Sequence, residues 1–335
     1  EFAVAQDSDV ARMSRGLPIE SPGDSVLELL MGQQAQTALA AGTVVIGTTS
    51  NEGAGDAGGP VRTPGAEFSV LSVGASNEAR DIADLSSGAV IDRFSVDYNT
   101  SAGGAAEYPE FYPRQYVKPD VSAPGIGVLS SGPLGGDIGD PAATYSFGGG
   151  TSMAAPHVAG AVALIQSATD GETPAPLIRN ALAETAEKPD TEFPSRYGRD
   201  IRYGTGIINV TAATDAIVDG SLTVEGEVTD SDGDPVVGAV VTSEAGALTS
   251  TDQSGSYTLH TTSDPANVTL RGFGVESRTR LVADGTDPVN FRNASTVSVD
   301  VLDGQPAAVA FGGSLDVSVD VANLEALTVD LTAES

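Results

Sequence analysis

GTSMAAPHVAGAVALI, from Gly150 to Ile165, decides how this chain is read. Gly149 and Gly150 let the backbone turn tightly just before Thr151 and Ser152. From Ser152 onward the stretch is apolar almost all round, the pattern of a helix buried at the centre of a domain. Pro156 falls in its first turn, where a missing N–H costs little. A serine at such a point is either a helix cap or a nucleophile. Its hydroxyl attacks weakly until a neighbouring base takes the proton and fixed donors stabilise the oxyanion. A helix N-terminus adds a favourable partial positive charge for that oxyanion.

Outward from this stretch, the apolar positions Val26, Leu29, Leu30, Ala38 and Ala41 recur near helical spacing between Ser25 and Ala41, and Gly42 ends the run. TVVIG (Thr43 to Gly47) and FSVLSVGAS (Phe68 to Ser76) read as strands buried on both faces. Helix followed by buried strand, repeated, predicts an α/β fold: a parallel sheet with helices on both faces. The segments from Asp92 to Lys118 and from Ser131 to Thr144 are dominated by Gly, Pro, Asn, Ser and Tyr and read as surface loops. After about Gly220 the texture changes to period two in LTVEGEVTDSDGDPVVGAVVTSEAG, GSYTLHT and ANVTLRG, which predicts an all-β module. Two further strands from about Gly304 open another β module. The reading is therefore tripartite: residues 1–219, 220–303 and 304–335.

The net charge of -30 is extreme for 335 residues. Acidic residues are scattered between well-patterned apolar runs, unlike a disordered acidic tail. They suit a solvated coat adapted to concentrated salt, where screening collapses surface repulsion to about 3 Å at 1 M. Nucleic acid is excluded as a partner, because phosphate binding needs basic groups. Cysteine is absent, so there is no disulfide framework and no thiolate metal site. No apolar run is long enough to span a membrane. The chain opens EFAVAQ rather than with methionine, so Glu1 is read as an interior position of a longer protein.

The whole run GTSMAAPHVAG resembles, position by position, the nucleophile element of the subtilisin-like serine peptidases, with Ser152 attacking. Three further segments carry the same resemblance strongly or in the correct order. TSNEG (Thr49 to Gly53) resembles the family's oxyanion loop and implies Asn51 as a side-chain donor; the family usually has Gly where Ser50 stands. VKPDVSAPG (Val117 to Gly125) resembles the loop before the nucleophile. RYGTGIINVTAA (Arg202 to Ala213) resembles the closing segment of the catalytic domain. MSRG (Met13 to Gly16) is a weaker match to the strand that pairs with substrate, and it implies Ser14, Gly16 and Ser50 as cleft-lining residues. The resemblance covers about residues 8 to 219.

The same resemblance exposes a gap. The family's Asp and His motifs lie upstream of everything matched, and the chain has only two histidines, His157 and His260. His157 belongs to the serine motif and is expected to pack within its helix; His260 lies in the β module. The expectation is an N-terminally incomplete, secreted, salt-adapted peptidase of haloarchaeal type, with a protein or peptide substrate. A parallel sheet without its first strands would expose an unpaired edge. Residues 221 to 277 resemble the transthyretin-like, carboxypeptidase-regulatory β-sandwich. Two rivals stay open: a non-catalytic binding protein derived from a peptidase, and a protein whose β modules serve surface attachment. The chemistry requires no cofactor. Structural calcium is common in the family, but no ligand set emerges here: Asp230, Asp232 and Asp234 start like a calcium loop, whose twelfth position is Val241 rather than Glu.

Overall fold

The computed structural model describes residues 2–14, 22–92, 111–131, 145–190, 193–272, 275–285 and 288–293. Its N-terminal part opens with α1 (Phe2–Ala5), β1 (Val10–Met13), α2 (Pro22–Ala40), β2 (Val44–Thr48) and β3 (Leu71–Ser76). Then come β4 (Ala89–Asp92), β5 (Gln115–Lys118), β6 (Val121–Pro124), β7 (Ile126–Ser131), β8 (Tyr145–Gly149), α3 (Thr151–Ala168) and α4 (Ala175–Glu184). The short β9 (Ser195–Arg196) and β10 (Arg199–Asp200) precede α5 (Val210–Asp219).

Four strands form one parallel sheet in the order β1-β2-β3-β6. Alternate residues of β2 explain its unbroken apolar run. Val44 and Ile46 join a core with α3, while Val45 packs with Ala35 and Ala38 of α2 on the opposite face. Helices therefore cover both faces, as a parallel sheet requires. The closing segment lies beside β6: Ser122 donates its N–H to the Gly206 carbonyl at 2.7 Å, and Ile208 donates to the Ser122 carbonyl at 3.0 Å.

Two expectations need correction. The centre of α3 is not buried all round. Ala154, Ala155, Val158, Ala161, Val162 and Ile165 face the sheet. Pro156, His157, Gly160, Ala163 and Leu164 face outward, with Leu164 61% exposed. Among the described residues that apolar face is open, so His157 is exposed rather than packed. The second correction concerns Asp92 to Lys118, whose last residues are not a surface loop. Gln115–Lys118 pairs antiparallel with β4, and Tyr112 and Tyr116 are buried against Phe68. Most of the remainder, and most of Ser131 to Thr144, lies outside the described residues.

Beyond α5 come β11 (Leu222–Thr229), β12 (Val240–Ser243), β13 (Leu248–Ser250), β14 (Ser256–Thr261), β15 (Ala266–Arg271), β16 (Arg278–Val282) and β17 (Phe291–Arg292). They form two sheets, ordered β14-β11-β17 and β13-β12-β15-β16. Strict alternation of buried and exposed residues along β11 sends Leu222, Val224 and Val228 into one apolar cluster shared with Val241, Leu259, Val268 and Phe291. The expected module from Gly304 lies outside the described residues.

This β region is anchored to α4. The Glu184 carboxylate accepts from Ser243 Oγ (2.7 Å), Thr261 Oγ1 (2.5 Å), Thr262 Oγ1 (2.7 Å) and Thr262 N–H (2.8 Å). One turn earlier, Asn180 Nδ2 donates to the His260 carbonyl and Asn180 Oδ1 accepts from Leu248 N–H.

Candidate active site

The site lies where α3 begins. Gly150 adopts φ 138°, and a Cβ there would meet Asn51 Nδ2 at 2.9 Å, so only glycine lets the oxyanion loop come this close. Its N–H donates to the Gly125 carbonyl at 2.7 Å, which ties the VKPDVSAPG loop to the start of the helix. Thr151 then donates twice to one atom: its N–H (2.9 Å) and its hydroxyl (3.0 Å) both go to Asn51 Oδ1. With its oxygen spent in this way, the Asn51 carboxamide keeps Nδ2 as a donor with no acceptor among the described residues. Ser152 is half-buried as the second helical residue. Its N–H is among those the first helical turn leaves without an intrahelical acceptor, and the helix dipole favours negative charge there.

Each part of this arrangement is held from behind. Thr49 N–H donates to Val73 O at 3.3 Å, Glu52 N–H to Ser87 Oγ at 3.1 Å and Gly53 N–H to Leu85 O at 2.9 Å. The Ser50 carbonyl accepts from Ser87 N–H, and Ser50 itself sits at φ 100°, a conformation glycine adopts more readily. The 83–86 turn behind this loop is clamped by the buried Arg202, whose guanidinium donates to Ser86 O (2.5 Å) and Ala83 O (3.0 Å).

Of the residues singled out in the sequence, Asn51 and Ser152 converge on α3. Ser14 follows β1 and donates its hydroxyl to the Ser152 carbonyl at 3.4 Å, while accepting from Arg12 Nη1. Ser50 flanks Asn51, and its hydroxyl donates to Glu52 Oε1 at 3.3 Å. Gly16 lies outside the described residues. Neither histidine hydrogen-bonds to Ser152. His157 Nδ1 donates to the Met153 carbonyl at 2.9 Å within α3. His260 pairs with Thr223 Oγ1 in the β region, and burial pushes its pKa below the ordinary histidine value despite nearby Glu225.

Two groups escaped the sequence reading. Arg62 forks onto Glu52, with Nε 3.1 Å from Oε1 and Nη2 2.6 Å from Oε2. The Arg62 hydrogen bond holds the Glu52 carboxyl below the usual carboxylate range, against a smaller opposing effect of burial. Between β5 and β6, the buried Asp120 accepts from Lys118 Nζ (2.7 Å) and Ser72 N–H (2.8 Å), and lies 3.6 Å from Arg199 Nε. Burial pushes the Asp120 pKa up, but Lys118, Arg179 and Arg199 outweigh it and hold the carboxylate below its ordinary value.

Among the described residues no group of three or more His, Asp or Glu side chains is placed to hold a metal ion. Asp230 Oδ1 is spent on the N–H groups of Asp232 and Asp234 in its own turn. Nor is any described helix long and apolar enough to cross a membrane.

The chain is similar to the subtilisin of Bacillus pumilus, 33% identical over 213 residues. That alignment covers 64% of this chain and 59% of the relative. It is also similar to subtilisin E of Bacillus subtilis (strain 168), 32% identical over 213 residues that cover 64% of this chain and 42% of the relative. The chain thus spans less than two thirds of these relatives. The crystal structure of a lanthipeptide protease matches 64% of this chain and 63% of its own, with a TM-score of 0.47 and 21% identity. The model of the subtilase family matches residues 1–206, more than half of the 335 residues, and the chain belongs to that family.

Proposed function

We propose that this chain carries the nucleophile and oxyanion side of a secreted, salt-adapted subtilisin-like serine endopeptidase that hydrolyses peptide bonds of protein substrates. The observation that carries the reading is the double donation from Thr151 to Asn51 Oδ1, which leaves Nδ2 as a donor beside the helix that presents Ser152. In the acylation step Ser152 Oγ bonds to the scissile carbonyl carbon. Asn51 Nδ2 and the Ser152 N–H receive the oxyanion. The hydroxyl proton passes to a base, which returns it to the leaving amine as the C–N bond breaks. Ser14 and Ser50 line the cleft.

The base and its orienting carboxylate come from a segment N-terminal to this chain, seated on the edge of β1 that no described strand covers and on the outward face of α3. The open Leu164 face and the edge position of β1 support that placement. In subtilisin itself, losing the histidine costs about a million-fold in turnover, a value taken from that enzyme and not from this structure. The two C-terminal sheets form a transthyretin-like sandwich. Any structural calcium has no ligand set among the described residues.

The test supplies the base from outside. With a fluorophosphonate, the Ser152 Oγ–P bond forms, fluoride leaves and the proton passes to added imidazole. Labelling is expected to be slow in plain buffer, to accelerate with imidazole and to vanish in Ser152→Ala. Fast labelling without imidazole would remove the absent base from the proposal. Labelling that persists in Ser152→Ala, or never occurs, would remove the nucleophile.

A further inference from the structure

The walls beside Asn51 carry a charge arrangement that the family resemblance does not account for. Arg62 is the only cationic residue between Thr49 and Pro64. Its backbone N–H donates to the Thr49 carbonyl at 3.3 Å, so the strand-like stretch bearing it runs alongside the oxyanion loop. Its guanidinium reaches Glu52, the residue directly after Asn51, and the hydroxyl of Ser50, the residue directly before Asn51, reaches the same carboxylate. The two side chains are partly open to solvent, Arg62 23% exposed and Glu52 50% exposed.

Arginine has five N–H donors in a planar fork. The Glu52 pairing spends one on Nε and one on Nη2, which leaves Nη1 and the outer Nη2 hydrogen without a hydrogen bond among the described residues. The chemistry at Ser152 fixes what lies nearby. A substrate carbonyl held by Asn51 Nδ2 would bring its own residue's side chain to the neighbourhood of the groups flanking Asn51, Ser50 and Glu52, and of the Arg62 that pairs with Glu52. An anionic carboxylate there meets an arginine whose unspent donors suit bidentate recognition.

Resting on the assignment of Ser152 as nucleophile, we propose that Arg62 is a specificity-determining residue. It favours an acidic side chain on the residue whose carbonyl is attacked, while Glu52 limits that preference by competing for the guanidinium. Arg62 acts on the substrate side chain and takes no part in proton transfer.

The experiment uses the full chain with imidazole and a pair of diphenyl aminoalkylphosphonates, one carrying the glutamate side chain and one the nearly isosteric glutamine side chain. Each forms an Ser152 Oγ–P bond as phenoxide leaves and imidazole takes the proton, and intact mass reports the rate. In wild type the glutamate probe is expected to react about fivefold faster, the scale of one partly exposed ion pair. Arg62→Gln should bring the ratio to about one. Glu52→Gln should move it the other way, above the wild-type value, which a merely structural role for the pair would not do. Equal rates in wild type, or a ratio unchanged in both variants, would overturn the proposal. Fluorophosphonate labelling in the same samples separates the failures. If it proceeds while the glutamate preference is absent, only the specificity assignment falls; if Ser152 is never labelled, the nucleophile assignment falls and takes this one with it.

Discussion

A single side chain sets the orientation of the candidate active site. Asn51 has two ends, and Thr151 fixes the carboxamide by claiming the oxygen twice, which leaves the Nδ2 end without a hydrogen bond among the described residues. Asn51→Ala removes the side-chain donor, and with it the acceptor of Thr151, while leaving the Ser152 side chain itself unchanged. Imidazole-assisted acylation of Ser152 should then fall about 10²–10³-fold, a magnitude established on subtilisin itself for such a donor. The measurement is the fluorophosphonate rate against wild type under equal imidazole, and an unchanged rate would show that Asn51 does not meet the oxyanion. Ser152 and Asn51 were legible in the sequence because each sits inside a contiguous motif. The Arg62–Glu52 pair was not, because nothing local links two residues of opposite charge across a glycine-rich stretch; the link is the backbone bond from Arg62 to Thr49.

Among elements, those with a clear period were readable. β2 and β3 announced themselves as β-branched runs, and α2 and α3 as helices. What periodicity did not supply was the set of neighbours. α3 is uniformly apolar, yet the described sheet covers one face of it. β5 is short, bounded by Pro113 and Pro119, and its burial comes from β4 and the Phe68–Tyr112–Tyr116 cluster rather than from its own pattern. Asp120, next to that strand, makes an element-scale prediction. Asp120→Asn leaves Lys118 and Arg199 buried without their counter-charge, and should cost about 3–5 kcal/mol in urea unfolding. The pH dependence has a definite sign. The folded carboxyl is held below its ordinary 3.8, so its contribution is present above that value and is lost as pH falls through the lower folded value. Wild type should therefore lose stability below pH 3.8 more steeply than Asp120→Asn; parallel acid profiles would refute the pairing.

At the scale of the whole molecule the charge of -30 dominates. At 0.1 M salt charges repel over about 10 Å, and at 1 M over about 3 Å. Raising potassium chloride from dilute buffer to molar concentration should raise the thermal midpoint, by about 2–4 °C for each kcal/mol of repulsion relieved. A midpoint that stays level or falls would refute the salt-adapted reading. Salt acts on all parts together, because Glu184 and Asn180 join the C-terminal sheets to α4 through side-chain hydrogen bonds rather than a bare linker. α4 in turn packs against β2, the strand that ends one residue before the oxyanion loop. A pull on the C-terminal sheets would thus reach the helix behind β2 through the Glu184 carboxylate and the Asn180 carboxamide together. The C-terminal sheets and the helix behind β2 are fastened to each other by side chains, and a change in one is felt at the packing surface of the other.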